Sequence, residues 1–145
     1  GVDHWPLHVL GISSRSIPIL AALGVDSFDS STHLQNAING KYQKTVMESV
    51  PLDEADFSQC TCPVCQSDHL VSWMKGNAEY QKDILGPVAM HNLIIQYRDL
   101  ADIRNRIAQP GTDAVIEYLE ETFGRDQTMR RYAHQVVNQS LGGYF

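Results

Sequence analysis

Residues 7 to 13 read Leu-His-Val-Leu-Gly-Ile-Ser, a short apolar run with β-branched members. Such a run predicts a buried strand. Ser14 or Ser16 can cap a following helix whose apolar positions are Ile17, Ile19, Leu20 and Leu23. Pro18 falls early enough to sit in a first helical turn. Gly24 then ends the helix, as a residue just past a C-terminus does. Residues 25 to 30, Val-Asp-Ser-Phe-Asp-Ser, predict a second strand. Strand, helix, glycine and strand make a βαβ unit, so the two strands should run parallel under the helix.

The next stretch is less regular. A helical turn is expected over 32 to 38, a turn at Asn39-Gly40, an edge strand over 41 to 47 and an acidic loop over 51 to 57. A short helix over 68 to 74 would place Leu70, Val71 and Met74 on one face. Residues 87 to 108 carry the strongest helical stripe, with Leu93, Tyr97, Leu100 and Ile107 flanked by Ile94 and Ile103. Pro110-Gly111 stops it. A second helix over 113 to 123, capped by Thr112 or Asp113, has Val115, Ile116, Leu119 and Phe123 inward and ends at Gly124. A third, over 128 to 141, uses Tyr132, Ala133, Val136, Val137 and Leu141, and Gly142-Gly143 loosens its end. The chain thus starts α/β and finishes helical. Two parallel strands cannot form a stable sheet alone, because parallel sheets are buried on both faces. Their neighbours are expected upstream or in another subunit.

Composition narrows the class. A chain of 145 residues suits one domain, and 43% apolar with 19% charged residues excludes a wholly disordered one. No run approaches the ~18 apolar residues of a membrane span, and no secretory leader opens the chain, so a cytoplasmic protein without a membrane partner is expected. The net charge of -6 does not point to a strongly basic nucleic-acid binder. Lys41, Lys44, Arg104, Arg106, Arg125, Arg130 and Arg131 could form local patches, but for the last four a solvated helix face is the preferred reading.

The three cysteines all fall within Cys60-Thr-Cys62-Pro-Val-Cys65. An odd number argues against a closed disulfide framework, and this clustering is that of metal ligands rather than of free thiols. Three thiolates and one imidazole satisfy the tetrahedral preference of Zn²⁺ and leave no open position, which marks a structural site. Spacing alone leaves two histidines for the fourth place: His69, four residues on, or His91, after 25 intervening residues. With His91 the ion would pin the start of the long helix to the cysteine loop.

The pattern Cys-x-Cys-x2-Cys-x25-His resembles the zinc site of the tRNA-guanine transglycosylases, the queuine and archaeosine enzymes. Leu10-Gly11-Ile12, Gly24-Val25-Asp26-Ser27-Phe28-Asp29-Ser30 and His91-Asn92-Leu93 are similar to family segments in the same order. The resemblance implies an α/β chain forming the C-terminal portion of a (β/α)8 TIM barrel over residues 1 to 108. Residues 8-13 and 25-29 would be its last two strands, 31 to 86 a zinc insertion, 87 to 108 the closing helix and 109 to 145 a helical extension. It implies Cys60, Cys62, Cys65 and His91 as ligands of a structural Zn²⁺, and His8, Leu10 and Gly11 at the base pocket. Asp29 would be the nucleophile that attacks a ribose C1′ while guanine is exchanged for a 7-deazaguanine base; otherwise Asp29 caps the following turn. Asp26, on the other face of the strand, reads as structural. The implied substrate is tRNA, or DNA in a related branch, and the assembly a homo- or heterodimer. The family's second carboxylate lies on earlier strands, so the chain alone should not turn over. The competing readings are a non-catalytic zinc-stabilised partner subunit and a free-standing zinc ribbon. The latter needs basic surface and a second ligand pair.

Overall fold

The computed structural model describes residues 5–108, 113–124, 126–128, 130–132 and 134–135. They form two compact units, one of Gly1–Ser30 with Leu100–Phe145 and one of Ser31–Asp99.

In the first unit β1 (His8–Val9) and β2 (Ser27–Phe28) pair in parallel, His8 opposite Ser27 and Val9 opposite Phe28. A 3₁₀ turn (Ser14–Ser16) and α1 (Ile17–Ala22) connect them. Pro18 lies in the first turn of α1, and Gly24 takes the left-handed φ of 77° expected past its end. The βαβ reading holds, but its strands are shorter than the apolar runs at 7–13 and 25–30. The predicted burial of the first run fails as well: Leu7, His8 and Leu10 are exposed, Leu10 at 73%. The reason is topological. Among the described residues this sheet has two strands, and a parallel strand is buried only when neighbours and helices cover it.

The buried residues of this unit are Ile17, Pro18 and Ser14 near α1, Ile103 on α4 (Leu85–Ile107), and Val115, Tyr118, Leu119 and Phe123 on α5 (Asp113–Phe123), which packs against α1. Burying each large apolar side chain contributes about 1.5–3 kcal/mol. The α5 stripe is the predicted one with Tyr118 added. Arg106 links α4 to α5 by a 2.5 Å contact with Glu121 and lies over the Tyr118 ring. Of the third predicted helix, 127–128, 130–132 and 134–135 are helical. The predicted stop at Pro110-Gly111, Thr112 as a cap, and Ala133, Val136, Val137, Leu141 and Gly142-Gly143 lie outside the described residues.

The second unit opens with α2 (Thr32–Ile38), where predicted, and the Asn39-Gly40 turn. β3 (Lys41–Gln43) then pairs antiparallel with β4 (Ser49–Pro51), Tyr42 opposite Val50. A single strand over 41 to 47 is thus replaced by a hairpin. Thr45 makes the turn, its Oγ1 accepting the N–H groups of Met47 and Glu48. Two 3₁₀ turns (Leu52–Glu54 and Phe57–Gln59) lead to the cysteines, followed by α3 (Asp68–Met74), a π-helical turn (Tyr80–Ile84) and the first part of α4. Leu70 of α3 is buried, but Met74 is exposed, and Trp73 takes its place against Tyr80.

The core of this unit combines Ala37, Tyr42, Leu52, Phe57, Leu70, Ile84, Val88 and Ile95 with the three cysteines. The inward face of α4 is therefore Val88, His91, Asn92, Ile95 and Gln96, and Tyr97 of the expected stripe is 67% exposed. Counting apolar residues misplaces this face because three of its members are polar.

Candidate functional site

The cysteine loop is built by local hydrogen bonds. Asp56 caps the Phe57–Gln59 turn by accepting from Ser58 N–H at 3.0 Å, and that turn delivers Cys60, whose N–H donates to Phe57. The Cys65 N–H points at Cys62 Sγ at 3.4 Å, and Gln66 closes the loop by donating from Nε2 to the Cys60 carbonyl at 2.8 Å. Cys60, Cys62, Cys65 and His91 are all buried, and their donor atoms lie within 4.8 Å of one another. His91 Nδ1 is 3.8, 3.3 and 3.4 Å from the sulfurs of Cys60, Cys62 and Cys65. Zn–S and Zn–N bonds of ordinary length at tetrahedral angles separate nitrogen from sulfur by roughly 3.6 Å. The four donors thus fit one tetrahedral ion and are compatible with zinc. His69 is exposed and outside this cluster, so of the two histidines it is His91 that the fold brings to the cysteines.

The histidine is held in one tautomer. Its Nε2–H donates to the Gln43 carbonyl at 2.9 Å, so Nδ1 presents its lone pair to the sulfurs. Burial holds the imidazole below its ordinary pKa, opposed by the Gln43 hydrogen bond, and Arg98 adds to the lowering. A pKa lowered in the fold gives stability that is present above the ordinary histidine value and lost as pH falls through the lowered one. The thiols split. Burial pushes Cys65 up. For Cys60 burial also raises the value, but hydrogen bonds, that of the Cys62 backbone N–H foremost, outweigh it and the net shift is downward. Protons and metal compete for the same four atoms. Acidifying the loaded chain from pH 7.5 to about 5 is therefore expected to release the ion, measurable with a chromophoric chelator.

The sequence pattern assigns Tyr42, Gln43 and Asn92 no role in the site. Tyr42 stacks on the His91 ring, centroids 3.9 Å apart and planes at 11°. Asn92 accepts from the Gln43 N–H at 2.8 Å and donates to the carbonyls of Lys41 (3.0 Å) and His33 (3.1 Å), while Gln96 donates to the Gln43 side chain at 3.2 Å. The signal was a polar pair beside a candidate ligand in a helix otherwise expected to turn an apolar face inward. Asn92→Ala leaves the buried Gln43 N–H without its acceptor and is expected to destabilise the protein by about 2–4 kcal/mol, read by denaturant titration.

The first unit holds Asp29, exposed at the carboxyl end of β2. Gly11 N–H donates to Asp29 Oδ1. Gly11 has φ 65°, which an L side chain adopts only with strain, and this conformation accompanies the turn of its N–H toward the carboxylate. The Asp29 backbone is fixed on both sides, its N–H donating to Val9 and its carbonyl accepting from Ile12. Ser30 Oγ donates to Ile12 as well. Asp26 instead accepts the Leu7 N–H at 2.7 Å, the structural use read from its alternation. His8 Nδ1 meets Ser27 Oγ at 2.8 Å. Asp29 and Gly11 are thus directly joined, and His8 and Leu10 lie on the same strand and the residues after it.

The basic residues favour the solvated-face reading. Lys44 pairs with Glu48, Arg106 with Asp102 and Glu121, and Arg130 with Glu120. Arg125 lies outside the described residues. No helix among those residues is long and apolar enough to cross a membrane.

Known proteins place the chain. The family model for queuine tRNA-ribosyltransferase matches residues 3–125. The tRNA-guanine(15) transglycosylase of Korarchaeum cryptofilum is 35% identical over 103 residues, covering 70% of this chain and 17% of that protein. The protein of the same name from Haloferax volcanii is 33% identical, covering 74% of the chain and 20% of that protein. The one from Aeropyrum pernix is 28% identical over 95% of the chain and 27% of its own length. The chain spans between about a sixth and a quarter of the length of these relatives. With a match over most of its length, it belongs to the queuine tRNA-ribosyltransferase family.

Proposed function

We propose that this chain supplies the nucleophile and a structural zinc site of an enzyme that exchanges guanine in tRNA for a 7-deazaguanine. The observation that carries the reading is the Asp29 carboxylate, exposed at the end of a parallel strand with one oxygen held by the Gly11 N–H. Catalytic groups of β/α barrels sit at that end of the strands. A carboxylate can act as a covalent nucleophile at an anomeric carbon. Asp29 would form a bond to ribose C1′ as the bond from C1′ to guanine breaks, the base leaving with the electron pair. The incoming base then attacks C1′ and releases Asp29. His8, Leu10 and Gly11 would border the base, which must leave its stack to be reached.

Cys60, Cys62, Cys65 and His91 are proposed as the ligands of a structural Zn²⁺, whose chemistry when bound is to neutralise and draw together the three thiolates. In this reading residues 1 to 108 are the last part of a (β/α)8 barrel, 31 to 86 its zinc insertion, and 109 to 145 a helical extension. The remaining strands and the second carboxylate come from polypeptide beyond these residues or from a partner in a homo- or heterodimer, acting in the cytoplasm. Incorporation of labelled guanine into tRNA by the chain together with the polypeptide that completes the barrel tests it. Incorporation into DNA alone would move the chain to the DNA-modifying branch. No incorporation into either would favour the zinc-stabilised scaffold.

A further inference from the structure

We infer that Tyr42 is a positioning residue of the metal centre, its hydroxyl donating a hydrogen bond to the Cys65 thiolate and so setting how tightly the ion is held. The inference rests on the zinc reading above. Tyr42 Oη lies 3.1 Å from Cys65 Sγ, both groups buried, and a metal-bound thiolate has no proton, so the hydroxyl must donate. The same ring lies flat on His91 and meets Phe57 edge-on at 5.3 Å, which fixes the position of the hydroxyl oxygen. The next residue, Gln43, accepts from His91 Nε2–H through its carbonyl. Two consecutive residues of β3 thus govern two of the four ligands, one through a side chain and one through the backbone. Asn92 locks the strand in that register through the Gln43 N–H.

Three thiolates and one imidazole leave a divalent ion with an excess negative charge, here in a buried site. An O–H donated to one sulfur draws off part of that charge and favours the loaded state. Groups that orient or hydrogen-bond the ligands typically change metal affinity by about 10–100-fold when removed.

Tyr42→Phe keeps the stacked ring and removes the hydroxyl alone. Zinc affinity of the full chain and of this variant is measured by competition with a chromophoric chelator, and both are then loaded with Co²⁺ for absorption spectra. The variant is expected to bind zinc about 10-fold more weakly. Its sulfur-to-cobalt charge-transfer band should move to lower energy, because a thiolate without its donor gives up electron density more readily. An affinity within twofold of the parent, or a weaker one with the band unmoved, overturns the proposal and leaves Tyr42 a packing residue. A parent chain that binds no zinc overturns the zinc reading itself, so the two failures are distinguishable.

Discussion

Cys62→Ala is expected to strip zinc from the chain and unfold the unit of residues 31 to 99 while leaving helical signal from the rest. The effect should be large because an ion there would not be an accessory to an independent core. The three cysteines are members of the same buried cluster as Tyr42, Leu52, Phe57, Leu70 and Ile84. The loop between β4 and α3 has only short 3₁₀ turns of its own. Binding of a structural zinc is worth about 10–16 kcal/mol in small zinc domains, comparable to the whole stability of a typical domain, about 5–15 kcal/mol. Losing a ligand therefore costs more than local packing can offset. Metal analysis of the purified variant under reducing conditions, with circular dichroism against temperature, should show well below one zinc per chain and loss of a cooperative transition. A variant that retains full zinc and an unchanged melting curve would remove Cys62 from the ligand set.

Asp29→Asn is expected to abolish base exchange in the complete enzyme, by about 10⁴-fold or more, with little change in stability. The amide keeps an oxygen for the Gly11 N–H, so the loop stays in place, but an amide cannot form and release the sugar ester. Asp29→Ala should be equally inactive. Asp26→Asn is the matched control. Its oxygen can still accept from the Leu7 N–H at 2.7 Å, and exchange should persist. Steady-state incorporation of labelled guanine, with melting curves for each variant, separates chemistry from folding. Equal losses for Asp26 and Asp29 variants would assign both to structure.

How legible this was depended on the kind of signal. The βαβ unit, α2, α3, α5 and the long helix follow from short apolar runs, Gly24 and helical periodicity, and they appear where those cues fall. The cysteine spacing identified three members of the cluster, and the resemblance selected the fourth. The exposure of Leu7, His8 and Leu10 could not be read from their own pattern, because burial of a parallel strand depends on its neighbours, and among the described residues this sheet has two strands. The β3–β4 hairpin was hidden because its turn is made by the Thr45 hydroxyl rather than by glycine or proline. The roles of Tyr42 and Asn92 were hidden for a similar reason. An aromatic in a strand and an asparagine in a helix carry no periodic signature, and their roles arise only when β3 and α4 meet.

The most direct test of the central claim is to trap the covalent enzyme–tRNA complex, digest it and locate the attached nucleotide by mass spectrometry. A ribose joined to the peptide that contains Asp29, through that carboxylate, is expected, with no adduct for Asp29→Asn. An adduct on another side chain, or one that survives the substitution, would contradict it.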